Sequence, residues 1–423
     1  MEHDLVLEGK VVTSEGLLDT EVGVSDGIIQ EVGKGLKGSR RIRAGDCLIF
    51  PGFIDIHVHM REPGWEHKED YRTGTEAAAH GGVTTVVDMP NNQTPANTRE
   101  AIDAKRRLAS GKAVVRVEMN GGVDPGDLEK LGEMAPVVVG YKIYLSETTG
   151  ARAFPASQLG ACLALIEATK KPVSLHCEEQ GVVDEMEQKL AGIEGPDLHC
   201  DLRPPRAETE AVARVVGALR ATRRARANVC HASTAKTLDM VRSARAEGTQ
   251  LFCEATLHHL YFDRRSMFSN PFLRANPPLR SEDDRQALLR GIRSGDVSFL
   301  VTDHAPHTEE EKRAGAAGVP GLDDYAHVVS WLIKGEGMNP STISKLACTN
   351  PAVFLGLRDR GSVAAGMRGD FAVIDLHAPE TVKRDALRTK CGWSPYEGRE
   401  FPGRARWTIV GGEVVRDGGG MAR

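Results

Sequence analysis

The stretch that decides the fold is Pro51-Gly-Phe-Ile-Asp-Ile-His57-Val-His59-Met-Arg61-Glu-Pro-Gly64. An apolar, β-prone run leads into two histidines spaced i, i+2, and in an extended strand that spacing points both imidazoles to the same face. One metal ion could therefore bind both rings. The Glu-Pro-Gly that follows is a loop signal, so His57, His59 and Arg61 should lie where a buried strand opens into a loop. Barrels of the α/β class carry their catalytic residues at this position.

Length and composition limit the kind of protein this chain can be. Its 423 residues are enough for one α/β barrel of about 250 residues and a smaller unit. Apolar residues make up 40% and charged residues 27% of the chain, as in ordinary globular enzymes. A formal net charge of -5 offers no basic surface for nucleic acid or an anionic membrane. We therefore expect a small-molecule substrate, no nucleic acid and no membrane partner.

The cysteines and the N-terminal segment indicate the cellular compartment. The eight cysteines include no Cys-x-x-Cys pair and resemble the reduced thiols of a cytosolic protein. The first residues lack the basic and apolar regions of a signal peptide, and no apolar run approaches the roughly 18 residues that a membrane span needs. The sequence thus predicts a soluble, cytoplasmic protein.

The two ends of the chain share one sequence pattern. Residues 1–49 and 358–423 alternate short apolar runs with glycines and polar turns, which is typical of antiparallel β-structure. Since the termini of a domain commonly lie close in space, we expect both ends to form one composite, β-sandwich-like domain. The remaining residues, 50–357, would form a domain inserted between them.

In that central region short buried strands alternate with helical segments. Eight strands are predicted, at 47–57, 83–89, 114–119, 137–145, 172–176, 228–231, 250–254 and 297–303. Helices are predicted at 73–81, 99–109, 156–170, 208–223, 234–248 and 283–294. Continuous apolar strands divided by helices indicate a covered parallel sheet, and eight is the number of strands in a TIM-type (β/α)8 barrel.

Candidate metal ligands stand at the carboxyl ends of four predicted strands. They are His57, His59, His176, His231 and Asp303. A single histidine is more often structural, but four histidines and an aspartate at one edge favour a metal site. Imidazole and carboxylate suit Zn²⁺, while Mn²⁺, Co²⁺ and Fe²⁺ remain open. Asp303 could also serve as the general acid and base.

Lys142 stands at another strand end, where its positive charge is unfavourable beside metal ions. A desolvated lysine near cations can lose its proton, and the neutral amine can add CO₂ to become a carbamate that bridges two metals. The alternative is a lysine that is ion-paired at the end of a strand. Cys230 and Glu254 are either a further metal contact or, as we prefer, a buried thiol and an acid behind the ligands.

Four further residues are candidate substrate contacts. Arg61 could hold a carboxylate in bidentate fashion, although an exposed surface arginine is the alternative. Asn91 and Asn276 offer a donor and an acceptor to an amide or imide, although asparagines in such loops are more often turn residues. His307 follows Asp303 in a Pro-broken loop and could meet an anionic group.

Six motifs together resemble the class I dihydroorotases of the amidohydrolase superfamily. They are Pro51 to Gly64, His67-Lys-Glu-Asp70, Asp88-Met-Pro-Asn-Asn92, Gly140-Tyr-Lys-Ile-Tyr144, Asn276-Pro-Pro-Leu-Arg280 and Thr302-Asp-His-Ala-Pro-His307. The resemblance implies zinc-dependent, reversible cyclisation of N-carbamoyl-L-aspartate to L-dihydroorotate and water, in de novo pyrimidine biosynthesis.

The resemblance also implies roles for individual residues. His57, His59 and Asp303 would bind one of two Zn²⁺ ions and His176 and His231 the other, with Lys142 bridging them as N6-carboxylysine. Asp303 would be the catalytic acid and base. The substrate contacts would be Arg61, Asn91 and His307 to the carboxylate, Asn276 to the ring amide, and Pro320 and Gly321 through the backbone that faces the ring.

Other functions remain open from the sequence. Allantoinases and dihydropyrimidinases or hydantoinases share the barrel, the histidines and the lysine, and Arg61 is the residue that favours a carboxylate-bearing ring. A non-catalytic structural relative would typically have lost metal ligands, whereas all six are present here. The sequence leaves open whether the chain forms a homo-oligomer or associates with other pyrimidine-pathway enzymes.

Overall fold

We describe a computed structural model that covers residues 2–193, 195, 198–222, 224–418 and 420–421. Four strands come first, β1 (Glu2–Val12), β2 (Leu17–Ser25), β3 (Ile28–Gly33) and β4 (Lys37–Pro51). Eight follow, β5 (Phe53–Val58), β6 (Val83–Asp88), β7 (Arg116–Gly122), β8 (Gly140–Tyr144), β9 (Val173–His176), β10 (Ala227–Val229), β11 (Leu251–Thr256) and β12 (Phe299–Val301). The last are β13 (Phe371–Asp375), β14 (Glu380–Thr381), β15 (Glu400–Phe401), β16 (Arg404–Val410), β17 (Glu413–Asp417) and β18 (Gly420–Met421).

Strands β5 to β12 form the predicted barrel. They pair in sequence order, and every pair is parallel. The ring closes between β12 and β5, where the Thr302 N–H donates to the Asp55 carboxylate over 3.0 Å and Val58 bridges to His304. Each predicted strand overlaps one of these eight, so the (β/α)8 architecture is confirmed.

Helices separate the barrel strands, and four more follow the last of these strands within the described residues. They are α1 (Tyr71–His80), α2 (Arg99–Ser110), α3 (Lys130–Met134), α4 (Leu159–Thr169), α5 (Gln180–Lys189), α6 (Leu198–Leu202), α7 (Pro205–Leu219), α8 (Ala235–Ala246), α9 (Leu257–Tyr261), α10 (Ser266–Ser269), α11 (Glu282–Ser294), α12 (Glu309–Arg313), α13 (Tyr325–Lys334), α14 (Pro340–Ser344) and α15 (Asn350–Leu355). The six predicted helices correspond to α1, α2, α4, α7, α8 and α11, and the predicted end at Arg223 lies outside the described residues. Within the described ranges, no helix combines the length and the apolar composition that crossing a bilayer needs.

Both ends of the chain contribute to the second sheet. Its strand order is β18-β17-β16-β13-β4-β1-β2-β3, and β4 of the N-terminal part pairs antiparallel with β13 of the C-terminal part. This separate sheet from the chain ends is confirmed, while the domain boundaries of 50–357 and the flanking segments stay a prediction.

The predicted first strand, 47–57, is wrong as a single element. Residues up to Pro51 belong to β4 in the sheet of the chain ends, and β5 of the barrel begins at Phe53. The chain crosses from one sheet to the other at Gly52. A larger residue would clash there, because a Cβ at that position would lie 2.0 Å from the Thr84 hydroxyl oxygen. Both flanking strands are buried, so their continuous apolar sequence carries no sign of the change of sheet.

Apolar side chains close one end of the barrel. Ile54, Ile56, Phe299 and Val301 of the first and last barrel strands share a buried cluster with Phe354 of α15. His57 lies beyond this cluster, towards the carboxyl end of β5.

Candidate active site

One cavity at the carboxyl ends of the barrel strands gathers the predicted ligands. His57 lies in β5, Lys142 in β8 and His176 at the end of β9, while His59, His231 and Asp303 lie in the segments that follow their strands. All six line this cavity, together with Arg61, Asn91 and Asn276. Parallel strands that end on one edge of a barrel bring together residues separated by more than 200 positions in the chain.

His57, His59 and Asp303 form one group of converging ligand atoms. Asp303 Oδ1 lies 3.3 Å from His57 Nε2 and 3.1 Å from His59 Nε2. All three residues are buried, and their ligand atoms lie within 4.8 Å of one another. Two imidazole nitrogens and a carboxylate oxygen in this arrangement suit a Zn²⁺ ion.

His176 and His231 form a second pair that faces the same cavity. His176 Nδ1 lies 2.9 Å from His231 Nε2, and the two rings are nearly perpendicular. The ring centroid of His231 lies 5.4 Å from that of His57, so the two groups are adjacent. The residues present therefore offer two neighbouring sets of nitrogen ligands.

In three of these histidines, the ring nitrogen that points away from the cavity contacts a side-chain oxygen of a neighbouring residue. His57 Nδ1 contacts Glu254, His59 Nδ1 lies 2.8 Å from Asn91 Oδ1, and His176 Nε2 lies 3.0 Å from Glu178 Oε2. Histidines that ligate metals commonly donate their other N–H to a carboxylate or carbonyl oxygen, which fixes the ring orientation. The arrangement thus leaves the inner nitrogens free to coordinate, and it fits a metal centre.

Burial keeps the ligands in the protonation states that metal binding needs. Burial lowers the pKa of His59 to about 4 and that of His231 well below its ordinary value, so both rings are neutral at pH 7. For Asp303 burial is the largest single influence and would raise the pKa. The adjacent His57 and His59 outweigh it and hold the pKa of Asp303 well below its usual range.

Lys142 is a buried lysine without a counter-ion. Its amine lies 2.9 Å from Cys230 Sγ and 3.5 Å from His57 Nε2, and only 1% of the residue is exposed. Among the described residues no carboxylate approaches this amine within 4 Å. The described residues therefore show no ion pair at Lys142. A buried ammonium without a counter-ion is energetically costly.

Glu254 and Cys230 lie directly behind the ligands. Glu254 contacts the His57 ring and accepts hydrogen bonds from the His231 backbone N–H over 3.0 Å and from Asn228 Nδ2 over 2.7 Å. His57, Cys230 and Glu254 also form a second group that could hold a metal ion. The contacts of Glu254 are those of an acid that orients two ligands.

Arg61 presents a positive charge to the cavity. It is 3% exposed, so the alternative of a surface arginine is wrong. Its Nε donates to the Pro306 carbonyl over 3.1 Å, and its Nη2 donates to His307 Nε2 over 3.3 Å. Within the described part of the chain no carboxylate lies within 4 Å of the guanidinium, and Asp303 and Glu311 attract it only from a longer distance, so an anion in the cavity would be its first direct ion-pair partner.

The other predicted substrate contacts differ in what they offer. Asn276 lines the cavity, and its Oδ1 is buried without a hydrogen-bond partner among the described residues. Both ends of the Asn91 amide are already used, since Oδ1 meets His59 and Nδ2 donates to the Thr149 carbonyl over 2.8 Å. In this structure Asn91 therefore orients a ligand histidine and joins the loop after β8 to the site.

His307, Pro320 and Gly321 lie behind the cavity wall. His307 contacts Arg61 on one side, and burial with the charges of Arg61 and Lys68 lowers its pKa to about 2. The Gly321 N–H donates to His304 Nδ1 over 3.2 Å, and Ala317 and Gly318 form the nearby wall. Direct substrate contact by these three residues stays a prediction.

Sequence reasoning missed several residues of the site. Tyr144 lines the cavity and could have been found, because it stands two positions after Lys142 on the same face of a strand. The sequence around Trp393 contains no comparable indication that this residue lies near the site. Trp393 reaches the site from the far C-terminal part of the chain, where its Nε1 donates to the His307 carbonyl over 2.7 Å.

Comparison with known proteins agrees with this fold. The Amidohydrolase family model matches residues 48–415. A protein of Methanothermobacter thermautotrophicus named dihydroorotase is 35% identical over 98% of this chain and 95% of its own length. A protein of Bacillus licheniformis named allantoinase is 31% identical over 99% of this chain and 97% of its own length.

A solved structure shows the same fold. The L-hydantoinase (dihydropyrimidinase) of Arthrobacter aurescens superposes with a TM-score of 0.96 over 100% of this chain and 98% of that one, at 24% sequence identity. At that identity the likeness concerns the architecture alone. The family match extends over all of β5 to β12 and over β13 to β16 near the C-terminal end, and on that basis the chain belongs to the amidohydrolase family.

Proposed function

We propose that this chain is a dihydroorotase, a cyclic amide hydrolase that reversibly cyclises N-carbamoyl-L-aspartate to L-dihydroorotate and water in pyrimidine biosynthesis. The observation that carries the proposal is the buried guanidinium of Arg61. It lies in the same cavity as the histidine and aspartate cluster and has no carboxylate partner among the described residues. A ring that bears a carboxylate would supply the missing charge, whereas an uncharged ring would leave it buried and unpaired. The 35% identical dihydroorotase supports the same assignment.

The cofactors that we propose are two Zn²⁺ ions and a carbamate formed by CO₂ on Lys142. His57, His59 and Asp303 would hold one ion, His176 and His231 the other, and the modified Lys142 would contact both. When bound, such metals act as Lewis acids and lower the pKa of water towards 7. The support is the convergence of the inner nitrogens and the buried Lys142 amine, which contacts Cys230 and His57 but has no carboxylate partner among the described residues.

Asp303 is the residue that we propose moves the proton. Its carboxylate stays ionised and faces the cavity. In hydrolysis Asp303 accepts a proton from the attacking water and delivers it to the ring nitrogen as the amide bond breaks. In cyclisation Asp303 takes the proton from that nitrogen and delivers it to the departing hydroxide, which leaves as water.

The remaining polar groups would orient the substrate. Arg61 would pair with the carboxylate, and the buried Asn276 Oδ1 would accept a hydrogen bond from a ring N–H. Fixing both ends of the ring places the amide against Asp303, and such positioning lowers the barrier without new chemistry. We also propose a cytoplasmic location, which the eight free cysteines support.

Turnover of three rings by the purified protein tests the assignment. We expect hydrolysis of dihydroorotate to exceed that of allantoin and dihydrouracil by at least about 100-fold in kcat/KM, because only dihydroorotate carries a ring carboxylate for Arg61. Faster turnover of allantoin or dihydrouracil would overturn the assignment. Fewer than one zinc per chain together with no turnover would instead favour a structural relative.

Replacing Arg61 tests the carboxylate contact directly. Arg61 has a positive φ of 61°, a conformation that asparagine adopts readily, so Arg61→Asn removes the charge without straining the backbone. We expect kcat/KM for dihydroorotate to fall by about 100-fold or more, since breaking a buried charge pair costs about 2–5 kcal/mol. Steady-state kinetics on dihydroorotate and on dihydrouracil measure this loss. The kcat/KM for dihydrouracil should change by less than about threefold.

A matched control separates backbone effects from charge. Lys170 has the same φ of 61° and is exposed at the C-terminus of α4, on the opposite face of the barrel. Lys170→Asn should leave the kinetics on both rings unchanged. Equal losses on both rings in Arg61→Asn would contradict a contact to the carboxylate.

A further inference from the structure

Tyr144 carries a hydroxyl for which the fold provides no partner. The residue lies at the end of β8 and is 9% exposed. Its Oη is buried without a hydrogen bond to any described residue. A buried hydroxyl without a partner costs about 1–3 kcal/mol. Such groups are rare in native structures and call for a specific explanation, such as a role in catalysis.

The position of Tyr144 suggests what its hydroxyl meets. The residue lines the cavity, the amine of Lys142 lies 5.0 Å from the centroid of its ring, and the ring of His176 lies 6.2 Å away. Tyr144 therefore stands beside the predicted metal ligands, at the end of the cavity where the amide bond would react. A tyrosine hydroxyl is protonated at neutral pH and can donate one hydrogen bond.

A second unpaired atom supports this explanation. Among the residues that line the cavity, Asn276 Oδ1 is the other buried side-chain atom recorded without a partner. One group is an acceptor and the other a donor. A cyclic amide presents the complementary pair, an N–H beside a carbonyl oxygen, so one bound ring could satisfy both groups.

We propose that Tyr144 is a further catalytic residue, whose hydroxyl donates a hydrogen bond to the carbonyl oxygen of the scissile ring amide. The proposal deepens the dihydroorotase assignment and rests on it for the identity of the ring. As the carbonyl carbon becomes tetrahedral its oxygen gains negative charge, and the hydrogen bond from Tyr144 strengthens while the proton stays on Tyr144. Donors placed in this way stabilise the transition state more than the bound substrate.

The test is Tyr144→Phe, which removes one oxygen and keeps the ring that fills the wall. We expect kcat for dihydroorotate hydrolysis to fall by about 100-fold with KM within about threefold, as when one such donor is removed from other enzymes. The zinc content should not change. The cyclisation rate should fall by the same factor, because both directions share one transition state.

Tyr141→Phe is the matched control. Tyr141 lies three residues earlier on the same strand, is buried, and donates its hydroxyl to the Leu131 carbonyl. This variant should keep kcat and KM. A kcat within threefold of the unmodified protein in Tyr144→Phe, or a loss confined to KM, would overturn the proposal.

The same measurements separate this proposal from the dihydroorotase assignment. If the unmodified protein hydrolyses allantoin or dihydrouracil faster than dihydroorotate, the dihydroorotase assignment fails. The role of Tyr144 is then still decided by comparing kcat of the Tyr144→Phe variant with kcat of the unmodified protein on the preferred ring. If no cyclic amide is turned over, both proposals fail.

Discussion

The Asp303→Asn variant is expected to bind substrate and to lose at least about 1,000-fold in kcat, because an amide cannot take up and return the proton that the reaction moves. Asp303 Oδ1 lies 3.1 Å from His59 Nε2 and 3.3 Å from His57 Nε2, and the pKa of its carboxyl is held well below the usual range. The carboxylate is therefore available as a base at neutral pH. Single-turnover and steady-state assays in both reaction directions would measure the loss.

The backbone at Asp303 allows a clean substitution. The residue has a positive φ of 47°, which asparagine tolerates, so the fold should survive the change. Asp26, an exposed residue between β2 and β3 with a φ of 52°, provides the matched control, and Asp26→Asn should keep full activity. A variant that retained more than about a tenth of kcat would show that another group moves the proton.

Loss of Lys142 is expected to have the second large effect. We expect Lys142→Ala to bind at most one zinc per chain and to lose at least about 1,000-fold in kcat, because it removes the anion that would hold both ions. Acetate or propionate in the buffer should restore part of the activity by occupying the space of the carbamate. Metal analysis and kinetics with and without added carboxylate test this outcome.

The carbamate itself can be detected by ¹³C NMR after growth of the protein in ¹³C-bicarbonate. One carbamate signal is expected from the unmodified protein and none from Lys142→Ala. Lys312 is the informative control, because burial and the nearby Arg274 lower its pKa to about 7, which would also favour reaction with CO₂. Its amine is instead engaged by the carbonyls of Arg274, Ala316 and Gly318, at 2.8–2.9 Å. A signal that persists in Lys142→Ala and disappears in Lys312→Met would contradict the proposal.

The sequence alone predicted that the candidate metal ligands share one edge of the barrel, because their pattern is local. His57 lies near the end of one strand and His59 two residues later, just past that strand, while His176 and His231 close two other predicted strands. Parallel barrel strands all end on one edge, so any polar residue at such an end shares that edge with the others. The resemblance to a known family added the roles, which spacing alone left open.

One expectation is wrong, and one residue has contacts that spacing did not indicate. The apolar run of 47–57 reads as one strand, but Gly52 divides it between two sheets, and both sheets bury it equally. Substrate contact by Asn91 stays a prediction, and in this structure its amide contacts His59 and the Thr149 carbonyl. Sequence spacing cannot show how a side chain divides its hydrogen bonds between the protein and a ligand.

What the sequence by itself determined is the eight-stranded barrel, the sheet formed by both chain ends and the edge at which the histidines, Lys142 and Asp303 meet. Only the tertiary structure decided that, among the described residues, Arg61 has no carboxylate partner within 4 Å and that the Asn276 carbonyl oxygen and the Tyr144 hydroxyl have no hydrogen-bond partner. The physical reason is that periodicity acts over neighbouring residues, whereas an unpaired charge or hydroxyl depends on every group that folding brings near it. Trp393, which reaches His307 across 86 positions in the chain, shows how long that range is.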